Sequence, residues 1–185
     1  MASVLVILAD GVEEIEAITP IDLLRRAGAD VTTASAGPTL SVTGRSQVSL
    51  LADLPLAEVE AVDFDCVLIP GGPGVAQLRT DSRVRDLVRR QADSGRWLAA
   101  ICAAPLVLHD AGLLEGRRYT AHHSAAGELP DLQAEMAVVE DGNLITSRGA
   151  GTAFDFALLL ITRLFSPEVA RRIADSVVYR GSLPS

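Results

Sequence analysis

A cysteine at the end of a predicted buried strand is the residue of this chain best placed to do chemistry. Cys102 follows an apolar run over 97–101 and is followed at once by helical sequence over 103–111. A sharp strand-to-helix turn exposes a nucleophile, and the free N–H groups of the next helix favour a thiolate over a thiol. The sequence therefore predicts a reactive thiol with a lowered pKa. A lone cysteine beside alanines is more often a small buried hydrophobe, so this hypothesis depends on the residues around it.

Three glutamates, Glu13, Glu14 and Glu16, follow the first predicted strand, around the start of a predicted helix. Glu13 and Glu14 are also explained by the favourable placement of acids at a helix N-terminus. Glu16 differs, because it lies among apolar residues in the inward-facing part of the helical pattern. Since burial raises the pKa of a carboxyl, we expect Glu16 to stay protonated, to donate a hydrogen bond to the Cys102 thiolate and to act as a general acid or base.

Backbone donors are predicted beside the same cysteine. The strand predicted over 66–69 ends in a glycine-rich loop over 70–74, and glycines allow backbone to come close to another group. The N–H groups of Gly72 and Ala103 are candidates to stabilise an oxyanion. Taken alone, the loop is equally explained as a turn, and it lacks the Gly-Lys-Ser/Thr of a phosphate-binding loop.

Two adjacent histidines, His122 and His123, follow a short strand predicted over 119–121. An imidazole at this position is suited to exchanging protons with a thiol or a substrate. Neighbouring residues on a strand point to opposite sides, and no third ligand has suitable spacing, so we expect no metal site here. Which of the two histidines faces the thiol stays open from the sequence.

The composition excludes several classes of function. All 16 basic residues are arginine, so Schiff-base and pyridoxal phosphate chemistry, which need a lysine amine, are excluded. The net charge of −8 argues against nucleic acid as a partner, because phosphate binding needs a basic face. No stretch is apolar for the roughly 18 residues that a membrane span needs, and the amino end does not have the pattern of a signal peptide. We therefore expect a soluble cytoplasmic protein that does not bind membranes.

The chain of 185 residues, 49% of them hydrophobic, is long enough for one domain over 1–185 with a sizeable core. Strand and helix patterns alternate along it, which predicts a three-layer α/β sandwich with a mainly parallel, flavodoxin-like sheet. In such sheets sites lie beyond the carboxyl ends of the strands, where Cys102 and the glycine loop fall. The predicted strands lie at 4–8, 31–34, 40–42, 48–51, 66–69, 97–101, 119–121, 137–140 and 144–146, and the predicted helices at 13–27, 81–94, 103–111, 152–164 and 167–178.

Four motifs in order resemble the DJ-1/PfpI superfamily, most closely its DJ-1 and YajL (ThiJ) branch, with a fold like that of class I glutamine amidotransferases. The resemblance covers essentially the whole chain. Its motifs are LADGVEEIE over 8–16, LIPGG over 68–72, AAICAAP over 99–105 and TSRGAGTAFDFA over 146–157.

The resemblance implies roles for particular residues. Cys102 is similar to the family's oxidisable nucleophile, Glu16 to the protonated carboxyl beside it and His122 to the third polar residue, although His123 stands where a proline is usual. Arg26 and Arg45 match arginines near the family's dimer interface, which implies a homodimer. Arg148 and the turn over 149–151 are expected to shape the site from behind.

The resemblance also implies an activity. It indicates a cofactor-free glyoxalase that converts methylglyoxal to lactate without glutathione, with deglycase action on early glycation adducts of proteins and a role in carbonyl and oxidative stress. The alternative is a redox sensor or redox-regulated chaperone that acts through oxidation of Cys102, and isonitrile hydration is a third hypothesis. Ala103 replaces the histidine that follows the cysteine in the protease-like branch, and the His-x-Glu of glutaminases is missing, which argues against both of those activities.

Overall fold

The computed structural model describes residues 1–181. Its strands are β1 Ser3–Leu8, β2 Asp30–Ser35, β3 Ser41–Thr43, β4 Ser49–Leu51, β5 Leu54–Pro55, β6 Cys66–Ile69, β7 Trp97–Ile101, β8 Val138–Asp141 and β9 Leu144–Ser147. Its helices are α1 Glu14–Ala27, α2 Leu56–Val59, α3 Val75–Thr80, α4 Ser82–Asp93, α5 Pro105–Asp110, α6 Ala153–Leu164 and α7 Pro167–Ser176. None of these helices is long and apolar enough to span a membrane.

Seven strands form the central sheet, in the order β5-β2-β1-β6-β7-β9-β8. Every neighbouring pair is parallel except β8 and β9, which form an antiparallel hairpin at one edge. Strands β1, β6 and β7 are adjacent, so their carboxyl ends meet at one place on the edge of the sheet. The predicted α/β sandwich with a mainly parallel sheet is confirmed.

Alternation along the central strands explains why helices cover both faces of the sheet. In β1, Val4 and Val6 pack into a core that contains residues of α1, α6 and α7. Leu5 and Ile7 point the other way, into a core that contains residues of α2 to α5. Because successive side chains in a strand point to opposite faces, a strand that is apolar at every position must be covered on both sides.

The prediction of a strand over 119–121 is wrong. The structure has only an isolated bridge between Tyr119 and Leu132 there. The Thr120 N–H donates instead to the Thr146 hydroxyl at 2.9 Å, and the Thr120 hydroxyl reaches the Gln133 carbonyl at 2.9 Å. Side-chain hydrogen bonds thus hold the segment beside β9 without a ladder, and this keeps His122 next to the end of the sheet.

Other differences concern short elements. The helix after Cys102 begins at Pro105, which occupies its first turn, and not at Ala103. A turn therefore separates the cysteine from the helix. Three short elements, β5, α2 and α3, were not predicted, because two to six residues are too few for a periodic pattern to show.

The predicted hairpin over 40–51 is present as β3 and β4, outside the central sheet. Carboxylates hold it against the loop after β1. Asp10 accepts the Thr43 N–H at 2.8 Å, and Glu14 accepts the Ser46 N–H at 2.8 Å. Glu14 therefore anchors the hairpin, whereas the sequence suggested only a favourable charge at a helix N-terminus.

A glycine is needed at position 72 for two reasons, its backbone conformation and the closeness of the neighbouring backbone. Its φ is +99°, and a Cβ would lie 2.5 Å from the Glu13 amide nitrogen and would overlap the Gly11 carbonyl. Gly95 also has a positive φ, +73°, but open space around it. We expect Gly95→Ala to cost only the left-handed strain of about 1–2 kcal/mol, and Gly72→Ala to cost clearly more. Chemical denaturation of both variants measures this, and equal losses would contradict the close approach at Gly72.

Candidate active site

Cys102 lies on a strained turn at the carboxyl end of β7. Its φ is +65°, a left-handed conformation that non-glycine residues rarely adopt. Two backbone hydrogen bonds hold it there. Its N–H donates to the Ser147 carbonyl at 2.9 Å, and its carbonyl accepts the His122 N–H at 2.9 Å. Such a turn presents the side chain beyond the sheet, as nucleophile turns do in α/β hydrolases.

Glu16 lies in the first turn of α1 and is 1% exposed. Its Oε2 accepts the Gly71 N–H at 2.9 Å, and its carboxyl also hydrogen-bonds the Cys102 thiol. Burial raises the pKa of Glu16 to about 7 and the Glu13 charge adds to this, while hydrogen bonds from Cys102, Gly71 and Ala150 act in the opposite direction. Both protonation states are therefore populated near neutral pH, where a general acid or base is most effective.

Gly71 allows these two side chains to meet. A Cβ at Gly71 would lie 2.5 Å from the Cys102 Cβ and 2.5 Å from Glu16 Oε2. The sequence predicted that the glycine loop lets backbone approach another group, and the structure shows that the group is the pair formed by Cys102 and Glu16. This contact joins the ends of β6 and β7 to the first turn of α1.

The predicted low pKa of the Cys102 thiol is wrong. Burial, followed by the negative charge of Glu16 and its hydrogen bond, raises the pKa of the thiol to about 12. The N–H groups of Gly72 and Ala103 lower it by hydrogen bonding, as the sequence suggested, but they do not compensate. Protonation of Glu16 removes its charge, so the pair accommodates one negative charge much more readily than two.

His122 is the histidine that borders Cys102. It is half-buried and lines the same pocket, whereas His123 is exposed and lines a neighbouring groove. The Ser124 N–H donates to His122 Nδ1 at 3.3 Å, and the Ser124 hydroxyl lies 2.9 Å from the same nitrogen. A neutral His122 that accepts at Nδ1 carries its proton on Nε2.

Burial lowers the pKa of His122, and the charges of His123, Arg148 and Arg45 lower it further. The ring is therefore neutral at physiological pH and has a proton on Nε2 that it can donate to a group in the pocket. Sequence reasoning missed Ser124 as a site residue. The one signal in the sequence was the spacing, because a serine two residues after a histidine can form a local turn and hydrogen-bond the ring.

The pocket at these residues has a volume of about 370 Å³, which suits a small substrate. Arg45 lies at its mouth and forms an ion pair with Glu13 at 3.1 Å. Arg26, which the resemblance places with Arg45, is elsewhere on exposed α1 surface and pairs with Asp22 at 2.8 Å. The lining residues are Glu13, Glu16, Arg45, Gly72, Pro73, Cys102, Ala103, His122, Ser124 and Ala150.

A sequence model of the DJ-1/PfpI family matches residues 2–163. The chain belongs to the DJ-1/PfpI family. It is 42% identical over 180 residues to protein dj-1beta of Drosophila melanogaster, covering 95% of this chain and 96% of that protein. A structure titled Toxoplasma gondii DJ-1, oxidized, superimposes with a TM-score of 0.94 at 38% identity and covers 98% of this chain and 100% of that one.

Two further relatives bear on length and activity. Protein DJ-1 homolog B of Arabidopsis thaliana is 39% identical over 178 residues; the match covers 95% of this chain but only 41% of that longer protein. The glutathione-independent glyoxalase DJR-1.2 of Caenorhabditis elegans is 35% identical over 159 residues, 84% of each chain. The DJ-1-type fold and family that the motifs suggested are thereby confirmed.

The charge coupling between Glu16 and Cys102 predicts how the thiol responds to a neutral neighbour. Glu16→Gln keeps the shape of the side chain but removes the charge that raises the thiol pKa, so more thiolate forms at a given pH. We expect Cys102 to react with iodoacetamide at pH 8 at least about tenfold faster, the effect of one pKa unit. Mass spectrometry of the Cys102 peptide measures the rate. Glu14→Gln is the control and should leave the rate unchanged; an unchanged or slower rate in Glu16→Gln would contradict the coupling.

Proposed function

We propose that this protein is a cytoplasmic, cofactor-independent glyoxalase that converts methylglyoxal and related small α-oxoaldehydes to 2-hydroxy acids without glutathione. The observation that carries the proposal is the hydrogen-bonded pair of Cys102 and buried Glu16 in a small pocket with two backbone donors. The printed name of the Caenorhabditis elegans relative, a glutathione-independent glyoxalase, supports the same reaction class.

The first step is addition of the thiol to the aldehyde. Ionised Glu16 takes the proton from Cys102 as the sulfur bonds to the aldehyde carbon, so a free thiolate never accumulates and the raised thiol pKa is no obstacle. The N–H groups of Gly72 and Ala103 stabilise the oxyanion that develops. Glu16 returns its proton to this oxygen, which gives a hemithioacetal and restores the carboxylate.

The second step moves hydrogen between the two substrate carbons. The Glu16 carboxylate removes the proton from the former aldehyde carbon, and the electron pair forms an enediolate with the neighbouring carbonyl, whose oxygen accepts a hydrogen bond from His122. Glu16 then returns the proton to the second carbon, and the hydroxyl proton on the first carbon passes to the oxygen of the second, which leaves a thioester carbonyl and a 2-hydroxyl group. The first carbon is oxidised and the second reduced, so no external oxidant is needed. Water cleaves the resulting thioester, which releases lactate and restores the thiol.

A redox sensor or redox-regulated chaperone is the second candidate, and the Glu16–Cys102 hydrogen bond favours it as well. A protonated Glu16 is placed to donate to a sulfinate on Cys102 and so to slow further oxidation to the sulfonate. In this function Cys102 stays oxidised as a sulfinate beside Glu16, and the pair does not turn over a substrate.

Deglycase action on glycation adducts would use the same thiol addition.

We also propose a homodimer through the face of α1 that carries Arg26 together with the mouth of the pocket at Arg45. Two large apolar side chains of α1, Ile15 and Ile18, are exposed on the monomer and would be covered in such a dimer. Sedimentation velocity measures the oligomeric state.

Lactate formation from methylglyoxal without glutathione tests the glyoxalase proposal. We expect turnover by the wild type, none by Cys102→Ser, and a loss of about 100-fold or more in kcat/KM for Glu16→Gln, the usual contribution of a general acid or base. Cys66→Ala is the matched control, because Cys66 is fully buried in β6 away from the pocket, and it should retain turnover.

The same assay has an expected pH dependence. Because the reaction starts from ionised Glu16, kcat/KM should rise with pH, with a midpoint near the Glu16 pKa of about 7, and should fall as Glu16 becomes protonated at lower pH. Turnover no higher than that of Cys102→Ser would overturn the glyoxalase proposal. Accumulation of a Cys102 sulfinate after peroxide in that protein would then support the sensor.

A further inference from the structure

A second cavity adjoins the active-site pocket and contains residues that the proposed reaction does not use. This Arg148 groove, of about 420 Å³, is lined by His122, His123, Arg148 and the turn over 149–152. It shares His122 and Ala150 with the active-site pocket, so the two cavities are adjacent, with His122 and Ala150 between them. An extended substrate whose carbonyl reaches Cys102 would place its far end at this boundary, on the side of Arg148.

Arg148 gives the groove a permanent positive charge in a chain of net charge −8. Within residues 1–181 the lining also has two histidines and no acidic residue. The His122 and His123 rings lie 3.9 Å apart between centroids. The adjoining active-site pocket has two carboxylates, and both have partners: Glu13 is paired with Arg45 and Glu16 accepts the Gly71 N–H.

Arg148 has no ion-pair partner within residues 1–181, although its backbone is fixed by a hydrogen bond from its N–H to the Ala137 carbonyl at 3.1 Å. Arg79, by contrast, bridges Asp110 and Glu128. The positive charge of Arg148 reaches the active site, since it lowers the pKa of His122. A half-buried guanidinium without a carboxylate, beside a nucleophile pocket, is suited to binding an anion from solution.

We propose that the Arg148 groove is an anion-binding subsite and that the preferred substrates are α-oxoaldehydes carrying a carboxylate or phosphate at the end remote from the aldehyde. This inference rests on the proposed glyoxalase function and specifies its substrate class. Arg148 and His123 bind the anionic group while Cys102 adds to the aldehyde carbon. The bond changes are those of the proposed reaction, so water is the only co-reactant.

Three substrates with the same reacting group test the preference: methylglyoxal, 4,5-dioxopentanoate and 3-phosphonooxy-2-oxopropanal. Their products are lactate, 2-hydroxyglutarate and 3-phosphoglycerate. We expect kcat/KM for at least one anionic substrate to exceed kcat/KM for methylglyoxal. In Arg148→Gln the ratio of these two values should fall about tenfold or more, as expected for loss of a charge-assisted hydrogen bond. The carboxylate and phosphate arms show which anion is preferred. Arg171→Gln, on exposed α7 surface, is the control and should leave the ratio unchanged.

A binding experiment separates failure of the subsite from failure of the glyoxalase proposal. Cys102→Ser, which cannot turn over, is titrated with glutarate and with inorganic phosphate, and the His122 and His123 resonances are followed by NMR. We expect saturable shifts with at least one anion that weaken about tenfold when Arg148→Gln is added. Binding without turnover by the wild type would keep the subsite and overturn the glyoxalase. Equal affinity in both variants, or no preference for an anionic substrate over methylglyoxal, would overturn the subsite.

Discussion

The close approach of backbone to two side chains at Gly71 is the constraint on which the rest of the site depends. The Gly71 N–H donates a hydrogen bond to Glu16. Because glycine has no Cβ, it leaves the space in which Glu16 meets Cys102. Burial raises the pKa of Glu16 to about 7, and the hydrogen bond from Gly71 acts in the opposite direction and limits the rise. The missing side chain at Gly71 thus determines the geometry of the pair, and the burial of the pair determines its proton affinity.

The order of strands explains why this contact can form. Loops after β1, β6 and β7 meet because these strands are neighbours and parallel, so α1 carries Glu16 to the place where β7 ends at Cys102. The next strand, β9, supplies the Ser147 carbonyl that accepts the Cys102 N–H. The strained turn is therefore held by the same sheet that positions its partners, and the cost of the strain is met by packing elsewhere.

Local patterns in the sequence predicted the sheet, most helices and the positions of Cys102 and Glu16, because apolar periodicity and glycine loops act over a few residues. The pKa of Cys102 was predicted wrongly because it depends first on burial in the folded protein and then on the charge of Glu16, which is 86 residues away in the chain and adjacent only in the fold. The strand predicted over 119–121 failed for a related reason. Its hydrogen bonds go to the side chain of Thr146, and no local pattern indicates that distant partner.

The shared proton also relates the two candidate functions to each other. Ionised Glu16 is a base beside a thiol of high pKa, and this form suits a reaction in which proton transfer accompanies addition to a carbonyl. Protonated Glu16 is a donor beside the same sulfur, and this form stabilises a thiolate or a sulfinate. Because the Glu16 pKa is about 7, small changes in pH or in charge near the pocket shift the balance between the two forms.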